Sequence, residues 1–150
     1  MCIIVRYNIQ SGIKRGTYQH GTMPAHKNPV RGIVADGLNQ LVVTGDSRGV
    51  VKFWRLKKCE LLSPSLKLGG DMSRMRLHRD SSLLAVVMED FTVKVVDIDT
   101  RAVVREFPGH NAAITDLTFS ADSRWLVTAS LDGTARVWDL PSSSCVDYVR

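Results

Sequence analysis

The chain has 150 residues, 44% of them apolar and 23% charged, the balance of a globular protein. No apolar run approaches the roughly 18 residues of a membrane span, and the short apolar start from Met1 to Tyr7 has neither a basic leader nor a small-residue cleavage site, so it does not read as a secretory signal. Net charge is +5 but uneven: residues 1–79 hold fourteen Lys/Arg against four Asp/Glu, and residues 80–150 hold six against eleven. Such a split fits either a polyanion partner for the basic half or solvated strand edges on which cations block unwanted pairing. The three cysteines, Cys2, Cys59 and Cys145, form no CxxC pair, which argues against a disulfide framework and a cysteine-built zinc site and fits a reducing compartment.

In chain order, residues 5–12 read as the end of a sheet unit, and a longer connection runs over 19–24. Short strands are then predicted over 30–33, 41–44, 50–56 and 61–68. The next set covers 72–77, 83–87, 92–98 and 102–107, and the last covers 114–119, 125–129, 134–140 and 145–149. Each is rich in β-branched or aromatic residues and bounded by Gly, Asp, Ser or Pro. No segment carries a convincing helical period.

The sets repeat. Laying His26 on His110 aligns thirty-one residues without a gap, so that Thr44 meets Thr128, Gly49 meets Gly133, Trp54 meets Trp138 and Leu56 meets Leu140. That offset is 84, and half of it, 42, brings the middle set into register, with Leu41 on Leu83 and Lys52 on Lys94. A period near 42 is that of a β-propeller blade. The fold expected is all-β: a partial propeller of about three and a half four-stranded blades, with residues 1–20 the end of one blade and 26–68, 69–108 and 109–150 three more. With two blade faces left open, such a piece is expected to self-associate when isolated.

Gly109-His110, Trp138-Asp139 and the turns Ala121-Asp122-Ser123-Arg124 and Leu131-Asp132-Gly133-Thr134 resemble those of the WD-repeat family. The resemblance implies a hydrogen-bonded set of His, Ser/Thr, Asp and Trp inside a blade, here His110, Thr128, Asp132 and Trp138. The 26–68 blade offers His26, Thr44 and Trp54, but Arg48 stands in the Asp position and Arg55 in that of the Asp after Trp. The middle blade keeps Asp90 and puts Leu68, Val86 and Val96 in the other places.

Residues 7–18, 25–58, 78–96 and 139–149 resemble more narrowly the second propeller of the WD-repeat subunits of the small-subunit processome, the nucleolar particle that contains the U3 small nucleolar RNA. Carrying that likeness are Asp36-Gly37-Leu38-Asn39-Gln40-Leu41 and Leu77-His78-Arg79-Asp80-Ser81, which no propeller requires. It implies a nucleolar, non-catalytic scaffold for 18S pre-rRNA processing, with other WD-repeat and scaffold proteins, and U3 RNA or pre-rRNA, as partners. No cofactor, small-molecule substrate or membrane is implied.

Several patterns imitate catalytic sites. Gly45-Asp46-Ser47-Arg48-Gly49 matches a hydrolase nucleophile elbow, but that motif needs a strand followed by a helix, and here a strand follows. The histidines show no metal-binding spacing; His26 and His110 share one repeat position, while His20 and His78 are expected to be exposed. Gly69-Gly70 precedes no phosphate-binding GK[ST] and is a connection. Asp97 and Asp99 are expected to shape a turn, and Trp54, Trp125 and Trp138 to pack in the core rather than stack on RNA bases. Function is therefore sought on loops at the two rims. Lys27 and Arg48 lie on one, and Lys52, Arg55, Lys57 and Lys58 are the candidates for RNA phosphate. Three readings follow: a protein-interaction scaffold, direct RNA binding through the basic half, and an unrelated WD-repeat adaptor such as a ubiquitin-ligase substrate receptor.

Overall fold

Apolar residues on both sides of the second and third strands of each set demand sheets that are covered on both faces there. β9 (Leu83–Met88) shows this best, with five of its six residues buried. The computed structural model describes residues 3–20, 22–38 and 40–149; Cys2 and the side chain of His20 lie outside the described residues. All regular structure among the described residues is strand. β4 (Val30–Ala35), β5 (Leu41–Asp46), β6 (Val50–Arg55) and β7 (Glu60–Lys67) form one antiparallel sheet in chain order. β8 (Met72–Leu77), β9, β10 (Val93–Asp97) and β11 (Ala102–Phe107) form a middle sheet. The last comprises β12 (Ile114–Phe119), β13 (Trp125–Ser130), β14 (Ala135–Asp139) and β15 (Ser144–Val149). Before them, β1 (Ile4–Tyr7), β2 (Lys14–His20) and β3 (Met23–Pro24) make a three-stranded sheet. The architecture is a partial β-propeller. The 19–24 connection turns out to be hydrogen-bonded, with Gln19 opposite Pro24 and His20 opposite Met23.

The repeat persists in the irregularities. Each first-to-second ladder slips once, between Val30 and Gly32, Met72 and Arg74, and Ile114 and Asp116. A bulge recurring at the repeat spacing bends each inner strand alike, so the sheets splay around a common centre.

Period-2 alternation then divides each sheet between two neighbours. Val42 and Trp54 pack toward the first sheet, where Tyr18 meets the Trp54 indole edge-on at 5.8 Å. Val43 and Phe53 face the other way and join Met72, Leu84, Val86 and Val96. The middle sheet's opposite face, with Ala85, Val87, Val93 and Val95, packs with Leu117, Leu126 and Trp138 of the last. Phe107 closes on Trp138 at 5.5 Å, as Tyr18 does on Trp54.

Two expectations of burial are corrected. Trp125 is half-buried rather than core, because it begins β13 at a rim, where the Arg124 guanidinium lies 4.7 Å from its ring. His78 is 5% exposed rather than free. Its Nδ1 accepts the Asp80 amide at 3.1 Å, and its Nε2–H donates to the Ser120 carbonyl of the last sheet at 2.9 Å, with Phe119 edge-on at 5.4 Å. The imidazole thus ties two blades together.

Candidate functional site

Two of the three complete sheets carry a buried polar chain. In the last, the Trp138 indole N–H donates to Thr128 Oγ1 at 2.9 Å, Thr128 lies 2.7 Å from His110 Nε2, and His110 Nδ1 lies 2.8 Å from Asp132 Oδ2. One direction satisfies every atom: indole to hydroxyl, hydroxyl to Nε2, and Nδ1–H to carboxylate. Asp132 is also held by the Asn111 amide and by the Thr134 amide and hydroxyl. Those bonds, the Thr134 hydroxyl first, keep its carboxyl far below the ordinary carboxylate range.

In the first complete blade the same chain is built with a different acid. Trp54 Nε1–H donates to Thr44 Oγ1 at 2.8 Å, and Thr44 sits 2.7 Å from His26 Nε2. His26 Nδ1 then meets Asp46 Oδ2 at 3.1 Å. The expectation that Arg48 leaves this blade without its carboxylate is therefore corrected. Asp46 ends β5 two residues after Thr44, and strand alternation places both side chains on one face. Asp46 is 2% exposed and its other oxygen accepts the Arg48 and Val50 amides. Arg48 points outward and pairs with Asp71 at 3.2 Å across the rim.

The middle blade has no such chain. Leu68, Val86 and Val96 are buried in its place, and Asp90 is exposed, accepting the Thr92 amide and hydroxyl. Removing donor and acceptors together leaves no buried orphan.

Burial lowers the pKa of His26 because it penalises the imidazolium, outweighing the pull of Asp46. The unfolded imidazole titrates near ~6.5. Below that pH the unfolded chain takes up a proton that the folded blade resists, so this contribution to stability is complete above ~6.5 and is lost as pH falls toward the lower folded value. Thermal midpoints should therefore drop between about pH 7 and about pH 5, the range in which histidine is the side chain that titrates, and drop less in His26→Gln. Identical pH profiles for the two proteins would contradict the assignment.

The cationic candidates do not form one patch. Lys52 is turned inward: its Nζ donates to the Ala25 carbonyl at 2.6 Å and lies 6.0 Å from the Trp54 ring, and burial pushes its pKa down. Its repeat partner Lys94 does the same for the Leu68 carbonyl at 3.0 Å. This corrects the reading of Lys52 as a free phosphate contact, since a four-carbon stem on an inward-facing strand position reaches the turn before its own blade. Lys27 and Arg48 lie on the rim of the β5–β6 hairpin, and Arg55, Lys57 and Lys58 on the opposite one. All five are exposed.

The imitation sites resolve as structure. Ser47 lies in a hairpin between two strands, its amide donating to the Pro29 carbonyl at 2.8 Å. Asp97 accepts the Asp99 and Thr100 amides and closes the turn into β11.

A family model described as the WDR36/Utp21 second beta-propeller domain matches residues 2–150. The chain belongs to the WDR36/Utp21 family. It is 49% identical over 141 residues, 94% of its length, to WD repeat-containing protein 36 of Homo sapiens. It is 42% identical over 146 residues to U3 small nucleolar RNA-associated protein 21 of Saccharomyces cerevisiae, and 41% over 143 residues to the Schizosaccharomyces pombe homolog. It spans about 15% of the length of these relatives. A solved structure titled "Structure of U3-55K" superposes on 97% of the chain and 45% of its own, with TM-score 0.81 and 25% identity. As a WDR36/Utp21 propeller, the chain spends the buried histidines His26, His78 and His110 on hydrogen bonds within and between blades.

Sequence reasoning missed Asp46 and His78. Both had a signal. Asp46 is two residues from Thr44 on a strand. Positions 36, 78 and 120 share one repeat column, and Asp36, His78 and Ser120 all accept a backbone amide of their own hairpin.

Proposed function

We propose that the chain is a non-catalytic scaffold segment of the nucleolar small-subunit processome, where it supports 18S pre-rRNA processing by holding other proteins of the particle. The observation that carries this is the 41–42% identity, across nearly the whole chain, to two yeast proteins named for association with U3 small nucleolar RNA. The geometry agrees with it: the buried titratable groups are spent on internal hydrogen bonds, and what remains is a rigid body presenting loops. Capture of the tagged full-length protein should bring down U3 RNA together with WD-repeat proteins, and its depletion should lower 18S relative to large-subunit rRNA. Ser47→Ala should leave growth unchanged. Capture of ubiquitin-ligase subunits without U3 RNA would instead mark an adaptor.

A further inference from the structure

We propose that a groove on the rim of the β4–β5 and β6–β7 turns of the first complete blade, continued into the cleft beside the middle one, receives an acidic protein segment that carries an aliphatic anchor. It deepens the scaffold reading and rests on it only in taking the partner to be a protein. Leu38 stands at the tip of the β4–β5 turn with 78% of its surface exposed. Beside it an open depression of about 710 Å³ is floored by Leu41 and Leu62 and edged by Arg55, Lys57 and Lys58. The carboxylate paired with Arg55 is Glu60, at 3.9 Å with both side chains more than half exposed, too loose a pair to neutralise it. On the other side of Leu38 a second depression of about 420 Å³ runs between the blades, lined by Asp36, Arg79, Asp80 and Asp99. The charge therefore changes sign across an apolar centre.

That arrangement selects a protein segment over a nucleic acid. Phosphates laid along both depressions would pass from the lysines onto Asp36, Asp80 and Asp99. Single-stranded RNA is held by aromatic stacking, and here the floor is aliphatic while Phe53 and Trp54 are fully buried. A peptide can place glutamates over Lys57 and Lys58, seat a leucine against Leu38, and then leave without charge past the acidic end. An apolar anchor ringed by complementary charge is how small interfaces gain both affinity and direction.

The test uses the full-length protein and a short fluorescein-labelled peptide in which two leucines are flanked by glutamates. Anisotropy should report binding that weakens at least about tenfold with Leu38→Asp, with Lys57→Glu combined with Lys58→Glu, or with the leucines of the peptide changed to serine. Lys67→Glu, a substitution of the same kind at the far end of β7, should leave it unaltered. Leu38 is exposed, so the melting midpoint of Leu38→Asp should match the parent and separate lost binding from lost fold. The proposal is overturned if the parent does not bind the peptide, if Lys67→Glu weakens it equally, or if an oligouridylate binds more tightly and is lost through the same substitutions. U3 RNA capture by the same preparation tells the two readings apart: capture without peptide binding ends the groove proposal and leaves the scaffold, and peptide binding without capture does the reverse.

Discussion

Asp46→Ala should destabilise the propeller by about 2–4 kcal/mol, while Arg48→Ala, two residues away, should cost under about 1 kcal/mol. The carboxylate of Asp46 accepts from His26, from Asn28 and from two turn amides, at 3.1 to 3.3 Å, in a site closed to water. Truncation leaves the buried Nδ1–H of His26 without an acceptor, and an orphaned buried donor costs roughly 1–3 kcal/mol before the lost bonds to the turn are added. Arg48 gives up one exposed ion pair with Asp71, worth about 0.2–1 kcal/mol. In a propeller of this size the first change corresponds to a fall in melting midpoint of roughly 5–15 °C. Asp46→Asn should recover part of it, because the amide oxygen can still accept the Arg48 and Val50 amides. If Arg48→Ala proved as damaging as Asp46→Ala, the buried chain in this blade would be wrongly drawn.

The case of Asp46 shows where reading by repeat succeeds and where it stops. The strands of the three complete sheets were legible because each needs a short β-branched run between turn residues, and because those runs recur every 42 residues. Trp54 and Trp138 were legible as equivalent, and they lie at 0% and 3% exposure in matching surroundings. Column-by-column transfer, however, assumes that a role stays at its position. In the last blade the acid sits in the turn at Asp132; in the first complete blade it comes from the last residue of β5, where the equivalent strand β13 ends on Ser130 instead. Only the alternation of side chains along β5 would have identified it. Lys52 was misread for a related reason: charge and outer position suggested solvent, but strand parity turned its stem toward the Trp54 face, and a nearby carbonyl took the ammonium. β2 went unpredicted because Lys14, Arg15, Gly16 and Thr17 carry no apolar signature; pairing with β1 supplies what the sequence lacks.

The hairpin between second and third strands gives the second large effect. Gly49, Phe91 and Gly133 occupy one repeat position and all have positive φ, at 68°, 67° and 80°. A side chain there costs about 1–2 kcal/mol from the contact between Cβ and the following carbonyl oxygen, and Phe91 shows that the fold tolerates this cost when space is open. Space is what separates the two glycines. A Cβ on Gly133 would meet nothing within 4 Å, but one on Gly49 would lie 2.2 Å from the Gly70 carbonyl oxygen. That oxygen belongs to the backbone leading into β8, a segment held to the same hairpin by the Leu68 amide on Gly49 and the Met72 amide on Ser47. It cannot withdraw without breaking the seam between two blades. Gly133→Ala should therefore cost about 1–2 kcal/mol, and Gly49→Ala roughly 3 kcal/mol or more, since overpacking adds about 1–3 kcal/mol to the strain. Phe91→Gly should be neutral or stabilising by up to about 1 kcal/mol. Equal losses for Gly49→Ala and Gly133→Ala in denaturant titrations would show that the seam yields freely, and the close packing of these blades through their connections would have to be abandoned.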